Sequence, residues 1–353
     1  MNWKGVYMRH FRCAVLLCFL LPGTLAYTAD SGGRDGTIVK QEACPARKFE
    51  YEDFVQLQRT DYEEEMQSEP QSPAKIGVSM PSLQDYLKAL PDRATVEKRK
   101  AHHGYECLKV TYLSDGLNVI GFIFKPVDSK GKKLPVVIFN RGGEGDNGKV
   151  TANRIFLWQY EFLEQGFVIL AAQLRGVDGG EGQDEFGGRD LDDVLNLIPL
   201  AQSLDYVDTK NVFMYGVSRG GTMTYLAIKK GASINAAAVH AGPTDLTDQL
   251  RLRPDFSKVY EEYIPDYKTN PSEALSQRSA IDWPDKINTP VLLLHGTADW
   301  RVSPNDALRL AMKLQQLHKT YALQIYANDV HALTMHNDEV HLRIIEWFRQ
   351  YMK

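Results

Sequence analysis

Residues 211–222 read NVFMYGVSRGGT, an apolar run that breaks into Gly216-Val217-Ser218-Arg219-Gly220-Gly221 and resumes as a helical pattern. Glycine two before and two after a serine suits a turn so sharp that side chains there would strike neighbouring backbone. A turn of that kind between strand and helix holds the serine at a strained backbone angle with its hydroxyl exposed. A serine hydroxyl becomes a nucleophile only when a base removes its proton and a carboxylate orients that base. The chain order for such an arrangement is serine, acid, histidine, so both partners are expected downstream. The run VLLLHGTAD ends in a loop carrying Asp299, the expected orienting acid. Asn328-Asp329-Val330-His331 follows the run Tyr321 to Tyr326 and precedes the last helical pattern, which makes His331 the expected base.

The other histidines fit this order less well. His336 lies further along the same loop, His341 falls inside the final helical pattern, and His240 ends a strand but precedes the acid. His295 stands before a glycine turn, where it would brace the Asp299 loop, and His102 and His103 lie upstream of the whole arrangement.

Acyl transfer also needs donors aimed at the oxyanion of the tetrahedral intermediate. One is the backbone N–H of Arg219 at the expected helix start. The second comes from Asn140-Arg141-Gly142-Gly143-Glu144-Gly145, where glycines let backbone approach a substrate; the Arg141 guanidinium and a loop N–H of Gly142 or Gly143 both remain open as that donor. The same loop formally matches a dinucleotide fingerprint, Gly143-x-Gly145-x-x-Gly148. The next strand, however, ends in Gln173-Leu174-Arg175 without the acid that a ribose needs. Nothing in this chemistry calls for a metal or an organic cofactor.

The elements that must hold these groups follow from periodicity. Leu117–Phe124, Leu134–Phe139, Phe167–Ala172, Val212–Tyr215, Ala236–Val239 and Val291–Leu294 are short, mostly apolar runs of the kind given by strands covered on both faces. Between them, Arg154–Glu164, Leu191–Leu204, Met223–Lys230, Asn305–Leu317 and Val340–Tyr351 suit helices. This alternation predicts a mostly parallel central sheet with helices on both faces. Residues 246–281 interrupt it with polar, proline-punctuated pieces, read as a small helical insertion over the carboxyl ends of the strands.

The chain has 353 residues, and its 41 Lys plus Arg against 45 Asp plus Glu give a formal charge of -4 without a dense basic stretch, which argues against a nucleic-acid partner. Residues 1–26 read as a secretory signal peptide: Lys4, Arg9 and Arg12, then the apolar Cys13 to Leu21, then the small-residue exit Thr24-Leu25-Ala26. The product is therefore expected to be secreted or periplasmic, with no stable membrane insertion after cleavage. Cys44 and Cys107 then remain as an even pair that an oxidising compartment allows to bridge. Residues 27–105 differ in texture, with an acidic patch at Asp61, Glu63, Glu64, Glu65 and Glu69, several prolines, and a short helix Ser82 to Leu90 opened by Ser82. They are read as an N-terminal accessory extension to a catalytic domain at 106–353.

From about Tyr112 to Met352 the sequence resembles the catalytic domain of the prolyl oligopeptidase family of serine peptidases, within the α/β-hydrolase fold. The matching pieces are the Gly142-Gly143 loop, Leu174-Arg175-Gly176 with Gly179-Gly180-Glu181-Gly182, Leu204-Asp205-Tyr206-Val207-Asp208, GVSRGG, HGTADWRVSP and His331. The resemblance implies nucleophile Ser218, acid Asp299 and base His331, acting on a peptide or amide bond. It departs from the family pattern at Arg141, where a tyrosine is common, and at Arg219 and Val330. Residues 27–105 are too few for the β-propeller that such peptidases commonly carry, which keeps ester substrates open as the alternative. A binding scaffold without catalysis is the remaining reading. Arg141 and Arg219 would either steer an anionic substrate or pair with acids such as Glu181, Asp184 or Asp193.

Overall fold

Among the described residues nine strands order the molecule: β1 (Ile38–Ala43), β2 (Tyr105–Ser114), β3 (Leu117–Pro126), β4 (Leu134–Asn140), β5 (Val168–Ala172), β6 (Val207–Val217), β7 (Ala236–His240), β8 (Val291–Gly296) and β9 (Tyr321–Tyr326). In the computed structural model they make one sheet in the order β1-β2-β3-β5-β4-β6-β7-β8-β9. The pairs β1/β2, β2/β3 and β3/β5 are antiparallel, and every pair from β5/β4 to β8/β9 is parallel. This is the mostly parallel, helix-covered sheet that the alternation of runs predicts, and the α/β-hydrolase architecture that the resemblance implies. The structure describes residues 33–45, 50–67, 79–101, 104–127 and 131–353. The expected signal segment 1–26, Glu69, His102 and His103 lie outside them.

Strands β5 and β7 are buried along their whole length, as their unbroken apolar runs require. One core on one face of the sheet joins Val136, Ile138, Leu170, Met214 and Leu293 to Leu200, Met223 and Leu310 from the helices. The core on the other face joins Val137, Phe213 and Leu292 to Phe162, Ile344 and Phe348. Two expected helices are interrupted. Arg154–Glu164 falls into Ala152–Trp158 and Tyr160–Glu164 because Gln159 leaves helical angles. Leu191–Leu204 divides at Asn196 into Leu191–Leu195 and Leu197–Ser203. Pro199 explains the second break, since its ring would collide with the carbonyl of Leu195 in a continuous helix.

The stretch before β2 is woven into the same unit, which runs from Gly33 to Lys353. Its first strand extends the sheet beside β2, and Cys44 is disulfide-bonded to Cys107 with a Cα separation of 5.4 Å. Its helices Tyr51–Gln67, Leu83–Ala89 and Arg93–Ala101 bury Phe54, Tyr86 and Val96 in the second core, beside Phe156 and Leu333. Ser82 caps the middle helix, accepting from the Asp85 N–H. The insertion forms helices Leu246–Leu252, Phe256–Tyr263 and Pro271–Ser276 around a small core of its own, with Phe186, Leu246, Tyr260 and Leu275.

Candidate active site

Strand β6 delivers Ser218, and the helix Arg219–Lys229 begins with the next residue. Ser218 has φ 56° and ψ -127°, a region that a residue with a side chain occupies only at a cost of roughly 1–3 kcal/mol. The flanking glycines make the turn possible by close approach: a Cβ on Gly216 would lie 2.2 Å from the Gly220 carbonyl oxygen, and one on Gly220 would lie 2.0 Å from that of Asn140. The Ser218 N–H donates to the His240 carbonyl at the end of β7 (2.9 Å).

The loop after β8 supplies Asp299, fully buried, and the loop after β9 supplies His331, whose side chain is 14% exposed. The His331 Nδ1–H donates to Asp299 Oδ2 (2.8 Å), which leaves Nε2 as the free base. The same oxygen accepts from His295 Nε2 (2.9 Å), and Asp299 Oδ1 accepts from the N–H groups of Arg301 (2.9 Å) and Val302 (3.0 Å). Burial alone would raise this carboxyl, but the two imidazoles outweigh it and hold the group well below the usual carboxylate range. Asp299 therefore stays ionised, as an orienting acid must.

His240 ties the serine and histidine loops together. Its Nε2–H donates to the His331 carbonyl (3.0 Å), and its Nδ1 accepts from the Tyr215 hydroxyl (3.1 Å). Burial pushes its imidazole down to about 3, with His331 adding to the effect, so it stays neutral and keeps one tautomer. The sequence offered His240 only as a histidine at a strand end ahead of the acid; its bracing role depends on β6, β7 and the last loop meeting in space. The remaining rivals are engaged elsewhere: His336 with Asp329 (2.8 Å) and His341 with Glu161 (3.0 Å).

Gly142 lies beside the serine, since a Cβ on it would sit 3.1 Å from Ser218 Cβ, and Gly143 is the next residue along. The Arg141 side chain is buried, donating to the carbonyls of Gln173 (3.1 Å), Gly142 (3.2 Å), Asn147 (2.9 Å) and Gly145 (2.8 Å). Arg219 is buried too. It pairs with Asp184 and Asp190 and donates to the Gly143 carbonyl (3.0 Å). Of the acids that the sequence offers as its partner, the structure selects Asp184 and adds Asp190; Asp193 pairs with Arg175 instead (2.7 Å) and Glu181 accepts from the Asn118 N–H. Neither guanidinium faces outward to steer an anion. The insertion lies on both rims of this region: the Tyr263 hydroxyl would be 2.6 Å from a Cβ on Gly145, and Gln249 Nε2 donates to the Arg301 carbonyl (2.7 Å).

Comparison with known proteins gives this geometry a family. Residues 154–353 match the prolyl oligopeptidase family, peptidase family S9. The uncharacterized peptidase YtmA of Bacillus subtilis is 31% identical over 245 residues, 69% of this chain and 92% of that one. The chain belongs to the prolyl oligopeptidase family. It is thus a serine hydrolase of the peptidase type. Other family members are longer: the dipeptidyl-peptidase 5 of Porphyromonas gingivalis is 25% identical over 75% of this chain but only 40% of its own length. Among solved structures, the acylaminoacyl peptidase of Pyrococcus horikoshii superposes with a TM-score of 0.63 at 21% identity, over 74% of this chain and 44% of that one, a likeness of fold. Among the described residues, no cluster of His, Cys, Asp or Glu suits a metal ion, and no helix is long and apolar enough to cross a membrane.

Proposed function

We propose that the chain cleaves peptide or amide bonds through an acyl-enzyme on Ser218, with Asp299 and His331 completing the triad. The observation that carries this reading is the strained Ser218 at a helix start, joined through His240 to a histidine whose Nδ1 is held by a buried carboxylate. In the first half-reaction Ser218 Oγ attacks the carbonyl carbon while His331 Nε2 takes its proton. The C–N bond then breaks and the departing amine takes that proton from His331. In the second half-reaction a water molecule, deprotonated by the same nitrogen, releases the acid and restores the serine. The oxyanion is received by the Arg219 N–H and by an N–H of the Gly142–Gly143 segment. Arg141 is assigned to the loop and not to the oxyanion, because four of its five N–H donors go to carbonyls.

The names of the relatives, peptidases and acylamino-acid-releasing enzymes, support an amide over an ester substrate. Export to an oxidising compartment is supported by the signal-like residues 1–26 and by the Cys44–Cys107 bond. The test is parallel turnover of p-nitrophenyl acetate and butyrate and of aminoacyl and prolyl p-nitroanilides. A serine-directed fluorophosphonate is used to label the protein alongside. The expected result is anilide cleavage and labelling that both vanish in Ser218→Ala. Labelling that persists in the variant removes Ser218 from the mechanism, and ester turnover without anilide cleavage makes the protein an esterase.

A further inference from the structure

The loop that follows β4 is held in an unusual way. Three of its carbonyls, those of Gly142, Gly145 and Asn147, accept from the one guanidinium of Arg141. A fourth, that of Gly143, accepts from Arg219. Arg219 is fixed in turn by two buried carboxylates: Nη1 meets Asp184 Oδ2 at 2.7 Å and Nη2 meets Asp190 Oδ2 at 2.7 Å, with the Phe186 ring 4.5 Å from the guanidinium carbon. Asp184 returns to the same loop, its Oδ2 accepting from the Gly145 N–H (3.0 Å) and its Oδ1 from the Phe186 N–H (2.9 Å). Asp190 is held by the Gly187 N–H (3.0 Å). Gly143 has φ 74° and would bring a Cβ within 2.3 Å of the Asn147 carbonyl oxygen, so the loop is folded tightly on itself.

A trans peptide is planar, with its C=O and N–H on opposite sides. Holding the Gly142 carbonyl on Arg141 therefore turns the Gly143 N–H the other way. Holding the Gly143 carbonyl on Arg219 does the same for the next N–H. Among the described residues, the N–H groups of Gly142 and Gly143 meet no acceptor. The arginine arms all fix carbonyls, Asp184 takes only the Gly145 N–H, and the Gly142 and Gly143 amides are left to serve a ligand. Arg219 has a second part in this, because its own N–H opens the helix after Ser218 while its side chain grips the opposite loop. One residue couples the two halves of an oxyanion site.

We infer that the Arg141 guanidinium and the Arg219–Asp184 pair are positioning groups that preset the Gly142–Gly145 loop, aiming the Gly143 amide at the oxyanion of the Ser218 adduct. The inference rests on the serine-hydrolase reading of the site. Arginine is required at both positions because a planar fork reaches several fixed acceptors at once, which an ammonium does not.

The test compares wild type with Arg219→Lys and Arg141→Lys, which keep the charge and lose the fork. Rates are counted per active site, by fluorophosphonate labelling carried to completion. The expected result is a kcat on p-nitrophenyl butyrate lowered by roughly 10- to 100-fold with KM little changed, because an oxyanion donor acts in the transition state. The inhibition constant of an alkyl boronic acid, which forms a tetrahedral adduct on the serine, should rise by the same factor. Variants that melt at lower temperature but keep wild-type kcat and boronate affinity per site overturn the inference and leave the arginines a structural role only. Should Arg219→Lys fail to fold, the isosteric Asp184→Asn, read by the same two constants, decides the question. A reactive wild type whose variants are equally fast refutes the inference alone, whereas a wild type that takes no fluorophosphonate refutes the Ser218 reading along with it.

Discussion

At the scale of single residues, Asp299 carries the sharpest consequence. One of its oxygens receives two imidazole N–H groups and the other two backbone N–H groups, so every acceptor position is in use. An amide in its place keeps an oxygen for the backbone only by facing its NH2 toward two further donors. Asp299→Asn is thus expected to lower kcat by roughly 10⁴-fold with little change in KM, because His331 loses its orientation and tautomer. Steady-state kinetics on the ester and anilide panel check this, and a fall below about tenfold would show that Asp299 does not orient the base. The sharp turn at Ser218 and the loops that bring Asp299 to His331 were legible in the sequence because a glycine-flanked serine and two loop residues after apolar runs are local patterns. The roles of Arg141 and Arg219 were not legible: their partners, Gln173, Asp184 and Asp190, are distant in the chain, and only the folded loop shows that the guanidinium groups serve backbone and not substrate.

At the scale of elements, the buried group of Arg99, Glu161 and His341 joins three helices from distant parts of the chain. Glu161 accepts from Arg99 on one oxygen and from the His341 Nδ1–H on the other. Burial by itself would raise the Glu161 carboxyl, yet His341 and Arg99 bring it down to about 2. A folded-state value below the unfolded one, near ~4.3, means stability that is present above that pH and lost as pH falls toward the folded value. Glu161→Gln should therefore cost about 3 kcal/mol at pH 7, and the gap from wild type should shrink between about pH 4.5 and 2. Urea midpoints across that pH range measure it, and a gap independent of pH would mean that the charge is not what stabilises the cluster. Strands β3 to β8 were readable as apolar runs, whereas β1 was not, because IVKQEA is an exposed edge with no buried face to pattern it. The break at Asn196 was in principle available from Pro199, three residues further on.

At the scale of the whole molecule, the stretch read as an accessory extension is part of one folded unit from Gly33 onward, sharing a core with the helices that support the His331 loop. The sheet ends on two unlike flanks. The outer flank of β1 carries Lys40 and Glu42, which pair across an exposed surface and discourage another strand from adding there. The opposite flank is β9, YALQIY, five half-buried residues and the buried Tyr326, without a charge or a proline. Such a segment is a template for adding strands from other chains, so misassembly at high concentration should begin on this side. Gln324→Lys is expected to delay the growth of thioflavin-positive aggregates while leaving turnover unchanged, and Lys40→Gln to have the smaller effect. Equal lag times for Gln324→Lys and wild type would place the origin of aggregation elsewhere. The strand that sets the histidine loop in place is also where the molecule is least defended against its own copies.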